Sequence, residues 1–221
     1  MIDMHIAIDG PSGAGKSTIA RALSAQLGCI YLDTGAMYRT VGLMATRRGV
    51  DTHDDAALAE MLKDADIQVI MTEDGQRMLL DGEDVEGLIR TPEMSMAASD
   101  VAVCPSVRKM LVDIQQSIAQ KNDAVMDGRD IGTRVLPNAE YKFFLNASPE
   151  VRAMRRFDEL RNQGQNVTYE EVLEDVKRRD LQDTTRKESP LTIAPDAIEV
   201  ATDDLNADEV VQVIMALMGR F

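Results

Sequence analysis

The sequence lacks several residue types that would each point to a particular class of protein. Tryptophan is absent, and the 221 residues include only two histidines and two cysteines. Cys29 and Cys104 cannot build a disulfide framework and show no metal-ligand spacing, so we expect small, buried, reduced thiols, as in cytoplasmic proteins. Nothing in the sequence pairs with His5 or His53, so a Ser–His or Cys–His nucleophile is not predicted.

Basic residues and long apolar runs are also scarce. Lys and Arg number 24 against 38 Asp and Glu, a net charge of −14, which argues against a nucleic-acid polymer or an anionic membrane as partner. The excess acid lies in residues 51–100, with 14 acids and 3 bases, and in residues 196–221, with 6 acids and 1 base. The rest of the chain is nearly balanced and could hold a positive pocket. The longest apolar run, residues 210–218, contains Gln212 and is far shorter than the ~20 residues of a membrane span.

Short apolar strands alternate with amphipathic helices along most of the chain. Strands are predicted at residues 6–8, 29–32, 124–126, 142–145 and 198–201, each followed by a helix, and Gly28 and Gly49 end the first two helices. This order predicts an α/β fold with a doubly wound five-stranded parallel sheet. Residues 67–85 break the rhythm, because three short strands joined by glycine turns predict a small antiparallel insertion in the acidic segment.

A phosphate-binding loop (P-loop) follows the first predicted strand. The pattern G-x-x-x-x-G-K-[ST] is matched in full by Gly10, Pro11, Ser12, Gly13, Ala14, Gly15, Lys16 and Ser17, with Thr18 next in the helix. Glycines let successive backbone N–H groups face one anion, and the helix N-terminus adds partial positive charge. Lys16 is placed to reach the β- and γ-phosphates, and the Ser17 hydroxyl to bind Mg²⁺. The loop therefore predicts a nucleoside triphosphate with Mg²⁺, whereas the N-K-x-D signature of GTPases is missing.

Arginines beyond this loop predict a second anion site. Arg39 follows the second core strand and Arg129 the third, and ligands of doubly wound sheets bind beyond the carboxyl ends of the strands. Converging guanidinium groups would hold a phosphate through paired hydrogen bonds. Further arginines lie on predicted helices, namely Arg108, Arg152, Arg155, Arg156, Arg161, Arg178, Arg179 and Arg186. For these helical arginines the alternative, ion pairs with neighbouring acids, stays open.

Several segments together resemble the bacterial cytidylate kinase family. They are I-D-G-P-S-G-A-G-K at residues 8–16, L-D-T-G-A-M-Y-R at 32–39, I-R-T at 89–91, A-A-S at 97–99, D-G-R-D-I-G-T at 127–133 and R-D-x-x-D at 179–183. The resemblance runs from about residue 6 to the C-terminus. It implies a single P-loop kinase unit with a core of about residues 1–62, 104–150 and 188–221. It further implies an insertion of about residues 63–103 in the region that binds the nucleoside monophosphate (NMP), and a helical lid with its adjoining helix at about residues 151–187.

The resemblance also implies an activity, the transfer of the γ-phosphate of ATP to CMP or dCMP with the help of Mg²⁺. By position, Thr34, Arg108 and Asp130 would read the cytosine, Ser99, Arg179 and Asp183 would surround the ribose with Tyr38 nearby, and Arg39, Arg129 and Arg186 would hold the monophosphate. Residues 10–18 would hold ATP, and Lys16, Arg39, Arg129 and Asp127 would support the transfer. There are departures from the family pattern: Thr34 replaces a common serine, Gln182 and Thr184 replace residues that are polar or charged in some relatives, and residues 200–203 match loosely. We expect a cytoplasmic monomer whose partners are small nucleotides.

The chemistry of cytosine suits the proposed readers. A carboxylate at Asp130 can accept from the cytosine amino group, and Arg108 can donate to the ring acceptors, whereas uracil would place an oxygen against the carboxylate. The acceptor phosphate is already an anion, so no side chain need deprotonate it. Asp127, after a strand, and Asp9, before the loop, are rival supports for Mg²⁺. A P-loop kinase for another small acceptor, or a nucleotide-binding regulator, stays possible, and the role of the acidic insertion is open.

Overall fold

The computed structural model describes residues 4–73 and 75–220. Five parallel strands form its central sheet: β1 (His5–Asp9), β2 (Ile30–Asp33), β6 (Ala124–Gly128), β7 (Tyr141–Asn146) and β8 (Ile198–Ala201). Their order across the sheet is β2-β6-β1-β7-β8, so β1 lies in the centre and β2 at one edge. The predicted five-stranded parallel sheet is confirmed.

Helices cover both faces of this sheet. They are α1 (Lys16–Leu27), α2 (Thr34–Arg48), α3 (Asp55–Leu62), α4 (Pro92–Val101), α5 (Pro105–Ala119), α6 (Pro149–Asn162), α7 (Tyr169–Thr185) and α8 (Ala207–Leu217). Ala7 of β1 belongs to an apolar cluster with α2, α3 and α5, whereas Ile6 and Ile8 belong to a second cluster with α1 and α8. Successive side chains of β1 therefore point to opposite, equally buried faces, which is why the strand reads as a continuous apolar run. The doubly wound arrangement is confirmed.

Glycines end the first two helices as predicted. Gly28 and Gly49 adopt left-handed backbone conformations, with φ of 69° and 65°, directly after α1 and α2. The expectation that a regular helix follows every core strand is wrong after β6, where the chain forms a π-helical segment, Ile131–Val135. The carboxylate of Asp9 accepts hydrogen bonds from the backbone N–H groups of Ile131 and Gly132, at 2.8 and 2.7 Å, and so holds this segment against the end of β1.

The acidic segment forms the predicted antiparallel insertion. Its strands are β3 (Ile67–Thr72), β4 (Gly75–Leu80) and β5 (Glu83–Asp84), in the order β3-β4-β5. Asp74, in the predicted turn between the first two strands, lies outside the described residues. Met78 and Leu80 are buried within the cluster that contains α2, whereas Ile70 and Met71 on β3 are exposed. The insertion is thus anchored through one face of its central strand.

Helices α6 and α7 form a separate pair. Ala153 and Leu160 of α6 pack against Val172 and Val176 of α7 in an apolar cluster distinct from the two that cover the sheet. The two helices lie in the part of the chain where the sequence analysis expects a helical lid with its adjoining helix. Cys104 is buried as expected, and Cys29 is half-buried. None of the helices in the described residues combines the length and the apolar character needed to cross a membrane.

Candidate active site

The predicted site residues meet in one cavity of about 560 Å³ at the carboxyl ends of β1, β2 and β6. Those that line it are Ser12, Gly13, Gly15, Lys16, Ser17, Thr18, Thr34, Tyr38, Arg39, Ser99, Arg108, Asp127, Arg129, Asp130, Arg179, Asp183 and Arg186. Gly10, Pro11 and Ala14 belong to the same loop but do not line the cavity. The cavity therefore joins the predicted donor and acceptor sites.

The phosphate-binding loop takes its shape from glycine. Gly13 and Gly15 have φ of 80° and 87°, in the left-handed region. At Gly10 a side chain is excluded, because a Cβ would lie 2.1 Å from the carbonyl oxygen of Leu145. Helix α1 begins at Lys16, and within the described chain no side chain caps it, so its first N–H groups face the cavity end of the loop. This is the geometry of an anion site.

Lys16 lies inside this loop rather than in solvent. Its Nζ donates a hydrogen bond of 2.6 Å to the carbonyl oxygen of Pro11. Burial, followed by the nearby positive charge of Arg129, lowers the pKa of Lys16 to about 7. Anionic oxygen atoms placed at the loop would oppose both effects and raise the pKa of Lys16 again.

Asp127 is the carboxylate that faces Ser17. The Ser17 hydroxyl donates to Oδ2 of Asp127 at 2.8 Å, and the Tyr31 hydroxyl donates to Oδ1 at 2.9 Å. Burial and the neighbouring charge of Asp33 raise the pKa of Asp127. Asp9, by contrast, is buried beneath the cavity with both oxygens bound to backbone N–H groups, and burial raises its pKa to about 6.

A buried ion pair lines the same cavity. Arg108 on α5 donates through Nη2 to Oδ2 of Asp130, and both side chains are less than 10% exposed, at 6% and 7%. Nη1 of Arg108 also donates to the carbonyl oxygen of Ala102 at 3.1 Å, and the guanidinium lies 5.6 Å from the centre of the Tyr38 ring. The pair presents a carboxylate and a guanidinium side by side to the cavity.

Three other cavity arginines, Arg39, Arg129 and Arg186, are paired with acids as well. Nε of Arg129 donates to Oδ2 of Asp183 at 2.7 Å, and Nη1 of Arg186 lies 3.5 Å from Oδ1 of the same carboxylate. Nη2 of Arg39 donates to Oδ2 of Asp33 at 2.9 Å. These arginines therefore form ion pairs with neighbouring acids and also line the cavity, so the ion pairs do not exclude an anion site.

Three guanidinium N–H atoms at the cavity remain without an acceptor. They are Nε of Arg39, Nε of Arg179 and Nη2 of Arg186, all buried and, among the described residues, unpartnered. Buried donors are normally satisfied, because an unsatisfied one costs about 1–3 kcal/mol. Donors of this kind from two parts of the chain, α2 and the second half and end of α7, belong to residues that line one cavity and indicate a site for an anionic or oxygen-rich ligand.

Sequence reasoning both missed and misplaced some residues. It gave no role to Asp33 and Ser95, which line the cavity, although Asp33 directly precedes Thr34 in the L-D-T-G-A-M-Y-R segment. Arg155 and Arg156 of α6 line the cavity as well. Arg152, which lies on the same helix, does not, because its guanidinium pairs with Asp180 at 2.6 Å and donates to the carbonyl oxygen of Ser12 at 3.0 Å.

Comparison with known proteins identifies the family. The sequence profile of the cytidylate kinase family matches residues 6–220. The chain belongs to this family. It is 49% identical over 220 residues to the cytidylate kinase of Caldicellulosiruptor bescii, covering 100% of this chain and 97% of that protein. It is 48% identical over 212 residues to the cytidylate kinase of Bacillus subtilis, covering 96% and 95%.

A comparison of folds points to a wider group. The shikimate kinase of Bacteroides thetaiotaomicron is similar to this chain with a TM-score of 0.51 at 16% sequence identity, over 98% of both chains. At that identity the likeness concerns the fold alone, a parallel sheet with a phosphate-binding loop.

Proposed function

We propose that this protein transfers the γ-phosphate of ATP to CMP or dCMP, giving ADP and CDP or dCDP. Its membership of the cytidylate kinase family supports the reaction. The observation that carries the assignment of residues is the single cavity, which contains an anion-binding loop and also three buried guanidinium nitrogens without acceptors among the described residues. A protein that bound one nucleotide as a switch would have no use for the second set.

The donor end would hold the phosphates of ATP. Residues 10–18, which include the start of α1, would surround the β-phosphate with their backbone N–H groups, Pro11 alone having none. Lys16, now bound to the carbonyl of Pro11, would exchange that partner for the β- and γ-phosphate oxygens. Because the ammonium is already inside the loop, little movement is required.

The acceptor end would read the nucleotide in three parts. Asp130 would accept from the cytosine amino group while Arg108 donates to the ring acceptors. The Thr34 hydroxyl, which now donates to the backbone carbonyl of Asp127 at 2.7 Å, would exchange that partner for the base. Ser99, Arg179 and Asp183 would contact the ribose, and Tyr38 would form one wall. Arg39, Arg129 and Arg186 would hold the monophosphate. Arg39 and Arg186 each keep one buried N–H atom for it.

The chemistry asks for position and charge rather than for a proton-transfer group. The CMP phosphate is already anionic, so its oxygen can attack the γ-phosphorus in line without a general base. The main obstacle is the repulsion between two anions, which Lys16, Arg39 and Arg129 would offset from fixed positions. No covalent enzyme intermediate is required.

We propose Ser17 and Asp127 as the residues that support Mg²⁺. A hydroxyl and a carboxylate in contact at 2.8 Å offer the oxygen ligands that this ion prefers. Ser17 directly follows Lys16, so both groups would lie beside the β- and γ-phosphates. When bound, Mg²⁺ neutralises part of the charge on those phosphates. Asp9 is the weaker rival, because both of its oxygens already hold backbone N–H groups. We assign Asp9 a structural role.

We also propose the division of the chain into a core, the NMP-binding insertion, and a lid with its adjoining helix at about residues 151–187. Helix α6 brings Arg155 and Arg156 to the cavity, and its closure over ATP would keep water from competing as acceptor. The helix pair has its own apolar cluster, so it could move as a unit. The same proposal includes a cytoplasmic monomer, which sedimentation of the purified protein would test.

A substrate panel tests the proposed reaction. ADP release is measured with CMP, dCMP, UMP and AMP at saturating ATP and Mg²⁺, and Lys16→Ala serves as the control for contaminating kinases. We expect kcat/KM for CMP to exceed that for UMP by about 100-fold or more, because uracil opposes the Asp130 carboxylate. Equal rates with CMP and UMP would overturn the cytosine assignment, and turnover of none of the four would overturn the reaction.

A further inference from the structure

One side chain of the acidic insertion reaches the edge of the main sheet. Gln76 lies on β4, and its side-chain amide contacts the last residue of β2. Oε1 of Gln76 accepts from the backbone N–H of Asp33 at 2.8 Å, and Nε2 donates to the backbone carbonyl of Asp33 at 3.1 Å. Because β2 is an edge strand with β6 on one side, this amide supplies the partners that a further strand would otherwise supply.

Asp33 is the residue through which this contact can affect the site. Its carboxylate accepts from the backbone N–H of Ala36, in the first turn of α2, and from the guanidinium groups of Arg39 and Arg90 at 2.9 and 2.6 Å. Burial raises the pKa of Asp33, but the two arginines more than offset this effect. The net pKa lies below its ordinary value, so the group is anionic at neutral pH. The carboxylate of Asp33 thus holds Arg39, while the side-chain amide of Gln76 holds the backbone of Asp33.

We propose that Gln76 is a positioning residue for the acceptor phosphate, acting through Asp33 on Arg39. The inference rests on the proposed function, in which Arg39 contacts the monophosphate of CMP. It gives the insertion a role: β4 braces the end of β2, so that the carboxylate of Asp33 presents the Arg39 guanidinium at a constant place. Misplacing a guanidinium by a fraction of an ångström weakens its hydrogen bonds to phosphate, because these depend steeply on distance and angle.

The insertion offers a matched control for the test. Gln68 on the neighbouring strand β3 is exposed, and its amide binds only the carboxylate of Asp66 among the described residues. Gln76→Ala and Gln68→Ala therefore remove the same chemical group from the same small sheet. A general weakening of the insertion would follow from both changes, whereas loss of the brace would follow from one.

The experiment measures KM for CMP, KM for ATP and the thermal unfolding midpoint of both variants. For Gln76→Ala we expect KM for CMP to rise about five- to tenfold, the size expected when the displaced Arg39 guanidinium loses one hydrogen bond of ordinary strength to the phosphate. KM for ATP should stay within about twofold of the parent value, since the brace touches only the acceptor side. Gln68→Ala should leave all three quantities unchanged.

Cytidine lacks the phosphate, so its affinity reports on the base and ribose contacts without the phosphate contacts. As a competitor against CMP, it should inhibit the Gln76→Ala variant with the parent inhibition constant, because the pocket of Arg108 and Asp130 is undisturbed. A double-mutant cycle with Arg39→Ala then tests the route. If Gln76 acts through Arg39, its replacement should raise KM for CMP by less than twofold in the Arg39→Ala background.

Several outcomes would overturn the inference. They are an unchanged KM for CMP in Gln76→Ala, a parallel rise in KM for ATP, a weakened affinity for cytidine, and an undiminished effect in the Arg39→Ala background. These outcomes differ from failure of the proposed function, in which the parent protein itself would not phosphorylate CMP.

Discussion

Replacing Asp130 with asparagine should weaken both the folded state and the recognition of cytosine. The substitution keeps the size of the side chain but removes the negative charge beside Arg108. The two side chains are 7% and 6% exposed, so the arginine would be left as a buried charge without its counter-ion. Stability and specificity can therefore be measured on one variant.

The structure sets the size of the stability effect. Removing one partner of a buried ion pair costs about 3–5 kcal/mol. Arg108 would keep its 3.1 Å hydrogen bond to the Ala102 carbonyl and its place 5.6 Å from the centre of the Tyr38 ring. Because these contacts still compensate part of the charge, we expect the lower end, a loss of about 3 kcal/mol in the free energy of unfolding.

The effect on specificity follows from the amide group. An asparagine at position 130 can donate to the carbonyl oxygen of uracil, which the aspartate repels. We expect the ratio of kcat/KM for CMP to that for UMP to fall by about tenfold or more. The assays are urea unfolding at constant pH and ADP release with each nucleotide.

Two further variants serve as controls for the loss of charge. Glu83→Gln breaks an exposed ion pair with Arg47 in the insertion and should change stability little. The double replacement Arg108→Met with Asp130→Leu should regain much of the lost stability, since it removes both buried charges, but it should be inactive on CMP because neither reader of the base is left. If Asp130→Asn unfolds at the urea concentration of the parent, the burial argument is wrong. If the CMP-to-UMP ratio is unchanged, the base assignment is wrong.

Three other expectations follow from single contacts. A Cβ at Gly42 of α2 would lie 2.8 Å from Cβ of Ala97 on α4, so Gly42→Ala should lower the free energy of unfolding by about 1–2 kcal/mol. Gly87→Ala is the control and should leave the free energy of unfolding unchanged, because its Cβ meets no other atom within 4 Å among the described residues. Burial raises the pKa of Asp183, but the neighbouring arginines more than offset this effect, so the net pKa lies below the unfolded value of 3.8. The resulting stabilisation is complete above about pH 5 and is lost as the pH falls through the folded-state pKa, so Asp183→Asn should flatten stability measured by urea unfolding between about pH 5 and 2. Asp127→Asn should lower kcat by about tenfold or more, and unchanged kinetics across a Mg²⁺ titration would contradict this role.

Local sequence patterns were sufficient for the elements of the fold. Continuous apolar runs marked the core strands because those strands are buried on both faces. Gly28 and Gly49 marked helix ends because the left-handed conformation there disfavours a side chain. The phosphate-binding loop was recognisable because its glycines, Lys16 and Ser17 are adjacent in the chain, so its chemistry is written in consecutive residues.

Pairings between distant residues were beyond those patterns. Nothing in the sequence linked Gln76 to Asp33, Asp9 to the backbone of Ile131, or Arg152 to Asp180, because each pair meets only once the strands are ordered and the helices packed. The same limit makes Asp9 and Asp127 equal candidates for the metal from sequence. Both carboxylates end or nearly end a strand, and only the folded chain shows which has its oxygens occupied by backbone.

By itself, the sequence determined the fold class, the phosphate-binding loop and the family resemblance, because these rest on residues close together in the chain. Tertiary structure alone decided which arginines point into the cavity, which acids they pair with, and that Arg39, Arg179 and Arg186 each keep an N–H atom for a ligand. The physical reason is that a guanidinium group reaches about as far as the distance between neighbouring helices, so its partner depends on packing rather than on sequence neighbours. Net charge could not reveal the site, since Lys16 and the seven arginines that line the cavity come together only after folding, in a chain whose net charge is −14.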